Sequence, residues 1–515
     1  MAAPTDEKLL LRKLKTFALI SRILIIFLQI IFNICIPDHN AVAFNPPYHD
    51  DSSIITLLIG GFRRWDAVYF MHIAEFGYTY ESALAFFPSF PLVIRLVSNT
   101  FLYPLTFICS YNSVLLISSC LTNMFLFVKN AENLYKLGKH VTKNDYLAYT
   151  GALLYCINPA SVFMSAPYSE TMFTYFTLTG LIYLEENKKL SAAVYIGLSC
   201  ITRSNGLLNL GYLLYVLGKK ILFTIKNLWR SSMKDVTIIA AVLWVIFVTT
   251  ILPYILLIAI CLFPFIMYQY YCYHLFCSND YMMDDIPDYI VQYGRENDLK
   301  VVGDTPSSWC NDTFPLAYSY VQKHYWHQGL LNYWEFKQIP NFILAIPVSF
   351  LVFMMSIHYY KNNKYICWTL GIDEVGAIKK KSETNNKYYT LEGVKLLPYV
   401  IHPLILTLFG WFFIHVQVLT RLLFSSTPVL YWYTAQLVFR DIPKQENKYN
   451  KYDVTKSDCV QVETNENQTG STNNLLADKI RNTLSEPFST RIILIYFMGY
   501  YVIGVALFSN FLPWT

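Results

Sequence analysis

The stretch FALISRILIIFLQIIFNICI at Phe17–Ile36 is a continuous, predominantly apolar segment. A helix of roughly 20 apolar residues spans the hydrocarbon core of a bilayer and satisfies its own backbone hydrogen bonds there. The sequence PDH follows it where a secretory signal would carry a small-residue cleavage site. We therefore predict an uncleaved first membrane span with a cytosolic N-terminus. The basic residues before it are Lys8, Arg12, Lys13 and Lys15.

The composition extends this membrane assignment to the whole chain of 515 residues. Hydrophobic residues make up 54% and charged residues only 15%, and the mean hydropathy is +0.34. Soluble domains carry about 25% charged residues. The net charge of +5 is too small for a nucleic-acid-binding protein, and the 11 cysteines include no CxxC pair. A disulfide-rich secreted domain and a zinc finger are therefore disfavoured.

Further apolar runs predict an all-α polytopic membrane protein with about nine to twelve transmembrane helices, some of half length. Two weaker apolar pieces flank Arg203. No internal repeat is evident, which counts against a transporter built from inverted halves. The strong runs are Phe90–Ile108, Val114–Val128, Leu147–Met164, Phe173–Leu184, Val236–Met267, Phe342–Ile357, Leu396–Val416, Leu419–Phe439 and Ile492–Phe511.

Charge in the connecting segments predicts which side of the membrane each one faces. Lysine-rich segments stay cytosolic under the positive-inside rule. The predicted arrangement is a single multi-pass domain over 1–515, with lumenal loops at 38–88 and 268–340, a basic cytosolic loop at 358–395 and a flexible cytosolic linker at 440–488. One conflict stays open. If Phe90–Ile108 and Val114–Val128 both cross, the basic segment Lys129–Lys143 becomes lumenal; otherwise the first of them is re-entrant.

The large lumenal loop carries candidate modification sites. Cys277 and Cys310 are a candidate disulfide in an oxidising compartment, and three free thiols, including that of Cys272, are the alternative. Asn311 begins an Asn-x-Thr glycosylation triplet. A second triplet at Asn467 falls in the predicted cytosolic linker, where it would remain unmodified.

The densest cluster of reactive side chains is RRWDAVYF, which begins at Arg63. It places Asp66 beside Trp65 just beyond the first span. A carboxylate that is partly desolvated near a membrane surface is a better proton acceptor than one in water. An amphipathic interfacial helix with a tryptophan anchor is the structural alternative.

A second cluster is NPASVFMSAPYSE at Asn158–Glu170, where two prolines break an apolar helix. Broken backbone within a membrane is tolerated where protein or a watery cavity covers it. Glu170 then lies at the membrane boundary, and Arg203 lies in the motif RSNG, whose glycine allows close chain approach. An intramembrane acid is a functional candidate, and an arginine fork suits a phosphate. A salt bridge between these two residues is the structural alternative.

The remaining candidates are polar groups among aromatic residues. The large loop contains the motif KQIPNF at Lys337–Phe342, and HVQVLTR at His415–Arg421 places polar groups beside an apolar span. Aromatic rings with amides are typical of sugar sites and of membrane interfaces alike. No nucleotide-binding loop, zinc-protease motif or serine-hydrolase elbow occurs in a supporting context.

These strings together resemble one family, the second mannosyltransferase of glycosylphosphatidylinositol (GPI) anchor assembly. The resemblance rests on RWDAVYF, FFPSFP, NPASVFMSAPYSE, RSNG, KQIPNF, HVQVLTR and the ending FLPWT, which recur in order along nearly the whole chain. Ser89 stands where we expect a glycine. The resemblance implies a GT-C-type glycosyltransferase of the endoplasmic reticulum membrane.

The implied reaction moves mannose from dolichyl-phosphate mannose, the donor co-substrate, to the mannosylated glucosaminyl-acyl-phosphatidylinositol acceptor through an α-1,6 link on the lumenal side. Configuration inverts, and the resemblance assigns Asp66 as the base. No metal ligands are assigned, and a divalent metal and an accessory subunit are left open. The candidate substrate-binding residues are Arg64, Trp65, Tyr168, Glu170, Arg203, Asn205, Gln338, His415, Gln417 and Arg421. A lipid or solute transporter and a non-catalytic subunit of a glycosyltransferase complex are the alternatives.

Overall fold

The computed structural model describes residues 4–41, 43–46, 54–230, 236–278, 286–372, 393–440 and 488–514. In these ranges the regular elements are helical, apart from one isolated bridge between Tyr80 and Val301. The α-helices are α1 Pro4–Cys35, α2 Ile54–Ile59, α3 Asp66–Phe76, α4 Ser89–Asn99, α5 Tyr111–Thr142, α6 Asp145–Cys156, α7 Glu170–Glu185, α8 Lys189–Cys200, α9 Leu210–Arg230, α10 Val236–Ile246, α11 Leu252–Cys277, α12 Asp288–Glu296, α13 Ala317–His324, α14 Ile339–Asn362, α15 Lys364–Trp368, α16 Leu397–Phe413, α17 Leu419–Ser426, α18 Pro428–Arg440 and α19 Phe488–Ser509.

Seven helical segments in the described ranges are long and apolar enough to cross a membrane. The polytopic, all-helical class is therefore confirmed. Seven is fewer than the nine to twelve spans expected, because several predicted runs are shorter, broken helices. The seven segments are Glu7–Cys35, Tyr111–Thr142, Ser204–Asn227, Thr237–Cys277, Phe336–Asn362, Val394–Phe413 and Thr490–Ser509.

The predicted span Leu147–Met164 is broken after α6. Asn158 precedes a proline, a position that disfavours helical backbone. Its side chain donates to the carbonyl of Tyr155 at 2.8 Å and accepts from the amide of Ala160 at 2.8 Å. These local bonds replace the helical ones. The chain then passes through one 3₁₀ turn at Ser161–Met164 before α7 begins at Glu170. We call residues 157–169 the α6–α7 connection.

The predicted span Phe90–Ile108 is also wrong as a continuous helix. Helix α4 contains 11 residues and ends at Asn99, and a 3₁₀ segment with Pro104 near its start follows. At 1.5 Å per residue, α4 is far shorter than a bilayer core. Before Lys129, the described chain thus has two helices of spanning length, α1 and α5. This helix count is compatible with the re-entrant alternative, and the cytosolic placement of the lysines that follow stays a prediction.

Three other boundaries differ from the prediction. Lys129–Lys143 is not a loop, because α5 continues to Thr142. The run Leu419–Phe439 divides at Pro428 into α17 and α18, since a proline suits the first turn of a helix and not its interior. The loop predicted from residue 268 begins only after α11 ends at Cys277. Most of the linker at 440–488, with Asn467, and part of the loop at 358–395 lie outside the described residues.

The two segments predicted as lumenal loops pack against each other. Glu81, from the first segment, is buried and accepts hydrogen bonds from Trp309 Nε1 at 2.8 Å and Tyr325 Oη at 2.9 Å, as well as from Ser307 Oγ. The structure also joins the pair named from sequence, Cys277 and Cys310, in a disulfide with 5.6 Å between the Cα atoms. This buried contact fixes the first segment against the second.

Candidate active site

Asp66 begins α3, and an unusual backbone turn sets its position. Trp65, directly before it, has φ 56° and ψ −127°. A bulky residue with positive φ costs roughly 1–3 kcal/mol and persists only where the surroundings enforce it. The amide of Asp66 donates to Tyr168 Oη at 3.2 Å, which ties this turn to the α6–α7 connection.

Asp66 is the first member of a chain of alternating charges. Its Oδ2 accepts from Arg421 Nη1 at 2.7 Å. The same Nη1 lies 3.6 Å from Glu170 Oε1, which in turn lies 2.6 Å from Nη1 of Arg203. Two carboxylates and two guanidiniums therefore neutralise one another. Helices α3, α7 and α17 and the turn before α9 supply these four residues, which we call the charge network.

The members of the charge network differ in exposure. Glu170 has no exposed surface, whereas the side chain of Asp66 is 29% exposed and those of Arg203 and Arg421 are 16% and 13% exposed. A fully buried carboxylate between two arginines fixes them in place. Oδ1 of Asp66 accepts no hydrogen bond from the described residues. Asp66 is therefore the more accessible of the two carboxylates.

Aromatic rings and small residues hold the arginines in place. The Arg421 guanidinium lies 5.3 Å from the ring centre of Phe163 and 5.4 Å from that of Tyr168. Both rings belong to the α6–α7 connection, and such cation–π contacts are worth about 0.5–2 kcal/mol. Asn205 accepts from Arg203 Nε at 3.3 Å and donates to Ser426 Oγ at 2.9 Å.

The RSNG turn is packed tightly. A Cβ built on Gly206 would lie 2.4 Å from the carbonyl oxygen of Ser199, so only glycine fits without movement. The close approach expected from the sequence is present. It brings the Arg203 turn against the end of α8.

Arg64 and Trp65 lie beside the charge network, with contacts elsewhere. Arg64 donates from Nη2 to Asp38 at 2.9 Å and from Nε to the carbonyl of Ser509 at 3.0 Å. Phe511 lies under the Arg64 guanidinium, 4.4 Å away, and its ring meets that of Trp65. Arg64 and Trp65 therefore anchor the turn that carries Asp66 to the end of α19.

A second polar cluster contains three of the predicted residues. Tyr333 Oη donates to Gln417 Oε1 at 3.1 Å and accepts from Asn341 Nδ2 at 2.8 Å, and that amide also donates to Gln338 Oε1 at 2.7 Å. The His415 ring stacks on Tyr333 with 4.5 Å between centres. Tyr333 and Asn341 were not predicted, although both lie within or next to the KQIPNF motif that was singled out.

His415 packs against this cluster of amides around Tyr333, which we call the amide cluster, and lies within range of the negative charge of Asp66. Its Nε2 bonds the carbonyl of Trp326 at 2.8 Å. Burial lowers the pKa of the imidazole, and the hydrogen bond to the Trp326 carbonyl and the negative charge of Asp66 partly oppose that effect. A neutral ring is thus favoured at this position. Nearby, Tyr69 stacks on Phe86 with 4.4 Å between the ring centres and supplies an aromatic wall.

The described residues contain no group of three or more His, Cys, Asp or Glu side chains placed to hold a metal ion. Both carboxylates of the charge network are bound to guanidinium groups. This arrangement provides an anionic oxygen and two cations in one place, which suits transfer of a group away from a phosphate that departs with negative charge.

Comparison with known proteins identifies the family to which this site belongs. A family model described as Mannosyltransferase (PIG-V) matches residues 11–515. The chain belongs to this mannosyltransferase family. The match includes every residue of the charge network, and it favours the transferase over the transporter alternative. As a member of the PIG-V family, the chain is a glycosyltransferase.

Relatives within the PIG-V family align over nearly the full length. The chain is similar to GPI alpha-1,6-mannosyltransferase 2 of Cricetulus griseus, with 36% identity over 97% of each chain, and to the Homo sapiens protein of the same name, with 35% identity over 97% of each. GPI mannosyltransferase 2 of Drosophila melanogaster is 34% identical over 82% of this chain and 90% of the relative. No solved structure matches the chain significantly.

Proposed function

We propose that this chain transfers the second mannose of the GPI anchor, through an α-1,6 link, from dolichyl-phosphate mannose to the mannosylated glucosaminyl-acyl-phosphatidylinositol precursor. The reaction takes place at the lumenal face of the endoplasmic reticulum membrane, on a GT-C-type scaffold. The names of the full-length relatives support the reaction. Seven apolar helices of spanning length suit an enzyme whose donor and acceptor are both lipids.

Asp66 is the proposed general base. The donor carries a β-linked phosphate and the product an α link, so the acceptor 6-hydroxyl attacks the anomeric carbon from the face opposite the phosphate. Oδ1 of Asp66 takes the proton of that hydroxyl as the new C–O bond forms, while Arg421 holds Oδ2 and fixes the carboxylate's orientation. A positioned base contributes about 10²–10⁴-fold in rate.

The two arginines are proposed to stabilise the departing phosphate. Within the described chain, Nη2 of Arg203 and Nη2 of Arg421 make no hydrogen bond, and both side chains are partly exposed. Glu170 and Asp66 hold them through Nη1. The two Nη2 groups are therefore oriented before the substrate arrives. They can stabilise the negative charge that develops on the phosphate oxygens as the bond between the anomeric carbon and the phosphate breaks.

The amide cluster around Tyr333 is proposed to bind sugar hydroxyls. Its tyrosine, glutamine and asparagine groups already bond each other, so a sugar replaces some of these bonds at little cost in desolvation.

The observation that carries the proposal is the exposed Oδ1 of Asp66 beside two fixed arginines. The test is a reaction of the purified chain in detergent with dolichyl-phosphate mannose and the mannosylated precursor, followed by mass and linkage analysis. We expect the wild type to add one α-1,6-linked mannose and Asp66→Asn to lose at least about 100-fold in kcat. Asp145→Asn, an exposed acid at the start of α6, is the matched control and should retain activity.

Two outcomes would contradict the assignment. Full activity of Asp66→Asn would exclude Asp66 as the base. The purified wild-type chain could also make no product, while a second subunit makes the product by itself. That result would favour the non-catalytic alternative. A parallel reaction with a chelator reports whether a divalent metal takes part.

A further inference from the structure

Arg22 is a buried charge near the middle of the first spanning helix. It is 1% exposed and lies within Glu7–Cys35. In the described part of the chain no carboxylate pairs with it. A charged side chain at the centre of a membrane helix costs about 2.5–3.5 kcal/mol on insertion scales. A methionine would avoid that cost, so the arginine is explained by the groups that its donors bind.

The donors of Arg22 converge on the α6–α7 connection. Nη1 donates to the carbonyl of Ser161 at 2.8 Å and to Ser165 Oγ at 3.0 Å. Nη2 donates to Ser161 Oγ at 3.1 Å, to Ser21 Oγ on α1 at 2.9 Å and, more weakly, to the carbonyl of Cys156 at the end of α6 at 3.4 Å. Phe127 lies under the guanidinium, 3.7 Å away. Arg22 thus supplies donors to one carbonyl and two hydroxyl groups of the α6–α7 connection, at a place where the helix is broken.

The same connection carries the residues that set the charge network. Tyr168 bonds the amide of Asp66, Phe163 lies against Arg421, and Glu170 follows at the first position of α7. Asn123 braces the second half of the connection through the carbonyls of Ala166 and Tyr168. Arg22 braces the first half.

We propose that Arg22 is a positioning residue, which acts through the α6–α7 connection to hold Tyr168 and Glu170 where Asp66 and the two arginines need them. The expected effect of Arg22 on catalysis rests on the proposed function, whereas its expected effect on the order of the α6–α7 connection does not. A planar fork can reach Ser161 and Ser165 together, whereas a single ammonium group cannot hold the same set of oxygens.

The first test needs no substrate. Hydrogen–deuterium exchange of the detergent-solubilised chain compares wild type with Arg22→Met. We expect amides of residues 157–169 to exchange at least tenfold faster in the variant, with α14 and α16 unchanged. Ser165→Ala, which removes one acceptor and leaves α1 intact, should show a smaller effect in the same segment. Ser119→Ala, which removes a buried hydroxyl on α5, is the control.

The second test measures mannosyl transfer by the folded enzyme. A displacement of about 1 Å at a reacting centre costs up to about 100-fold. We expect Arg22→Met to lower kcat by about 10- to 100-fold with each KM within about threefold, and Arg22→Lys to recover part of the loss. Because both changes act through one connection, Arg22→Met and Tyr168→Phe should combine non-additively in kcat.

The proposal is overturned if hydrogen–deuterium exchange over 157–169 is unchanged in both Arg22→Met and Ser165→Ala. Additive effects of Arg22→Met and Tyr168→Phe on kcat would also overturn it. If Arg22→Met fails to fold, Ser165→Ala decides both tests. A wild-type chain that makes no mannosylated product would contradict the proposed function, while the exchange comparison would still decide the role of Arg22.

Discussion

Replacing Glu170 with glutamine tests whether the charge network stabilises the fold as well as the site. The substitution keeps the side-chain shape and removes one negative charge. Arg203 then retains Ser169 and Asn205 as neutral partners. Removing one member of a buried ion pair costs about 3–5 kcal/mol. Since Arg203 is 16% exposed and water reaches it, we expect the lower end, about 3 kcal/mol.

A compensating substitution separates lost charge from lost packing. In the Glu170→Gln background, Arg203→Met removes the guanidinium that lost its partner. If the uncompensated charge causes the destabilisation, the double variant should be more stable than Glu170→Gln by about 2 kcal/mol. Mannosyl transfer should not return with stability, because Arg203 is proposed to bind the phosphate.

The assay is a denaturant titration in detergent micelles, in which tryptophan fluorescence monitors unfolding. Glu335→Gln is the matched control, because Glu335 pairs with Lys337 at 2.6 Å and the two side chains are 51% and 73% exposed. Exposed pairs of that kind contribute about 1 kcal/mol or less. Equal midpoints for Glu170→Gln and Glu335→Gln, or a double variant less stable than Glu170→Gln, would refute the reasoning.

Three other perturbations have expected outcomes. Gly206→Ala should destabilise the chain by about 1–3 kcal/mol through overlap with Ser199, whereas Gly211→Ala, with no neighbour within 4 Å, should not; the same titration compares them. Cys277→Ser should cost about 3–4 kcal/mol for the separation of 33 residues, and a reductant should lower the wild-type midpoint towards that of the variant. Burial raises the pKa of Glu75 to about 7 from 4.5, with Arg63 opposing it and Tyr111 and Tyr289 nearby. The contribution of Glu75 to the free energy of unfolding is therefore full below pH 4.5 and is lost as the pH rises through about 7, a fall of up to about 3 kcal/mol. Glu75→Gln should remove this fall from the pH profile of stability. An unchanged profile in that variant would exclude Glu75 as the cause.

Much of the candidate site was predictable because its residues interrupt apolar runs. An acid or an arginine beside a membrane span is conspicuous, and Asp66, Glu170, Arg203 and Arg421 were all singled out in this way. Their pairing was predictable only in part. The sequence indicated a bridge between Glu170 and Arg203, but nothing local places Arg421 against Asp66, since the two residues lie 355 positions apart.

Helix lengths were the weakest prediction, since hydropathy does not report where a helix breaks. Asn158 and Pro428 end helices inside apolar runs, through a side-chain cap in one case and a missing donor in the other. Arg22 was passed over although a charge within a span is a recognisable signal. Glu81 had no such signal, since its neutral partners come from a distant part of the chain.

The anchoring of Arg64 by Ser509 and Phe511 has a consequence for biogenesis. Ser509, which anchors the turn that carries Asp66, is synthesised 445 residues after Arg64. Until α19 has been made, the described partners of the Arg64 side chain are only those that precede it in the chain, Asp38 and Asn33. A nascent chain that stalls before α19 would therefore carry the Asp66 turn without this anchor.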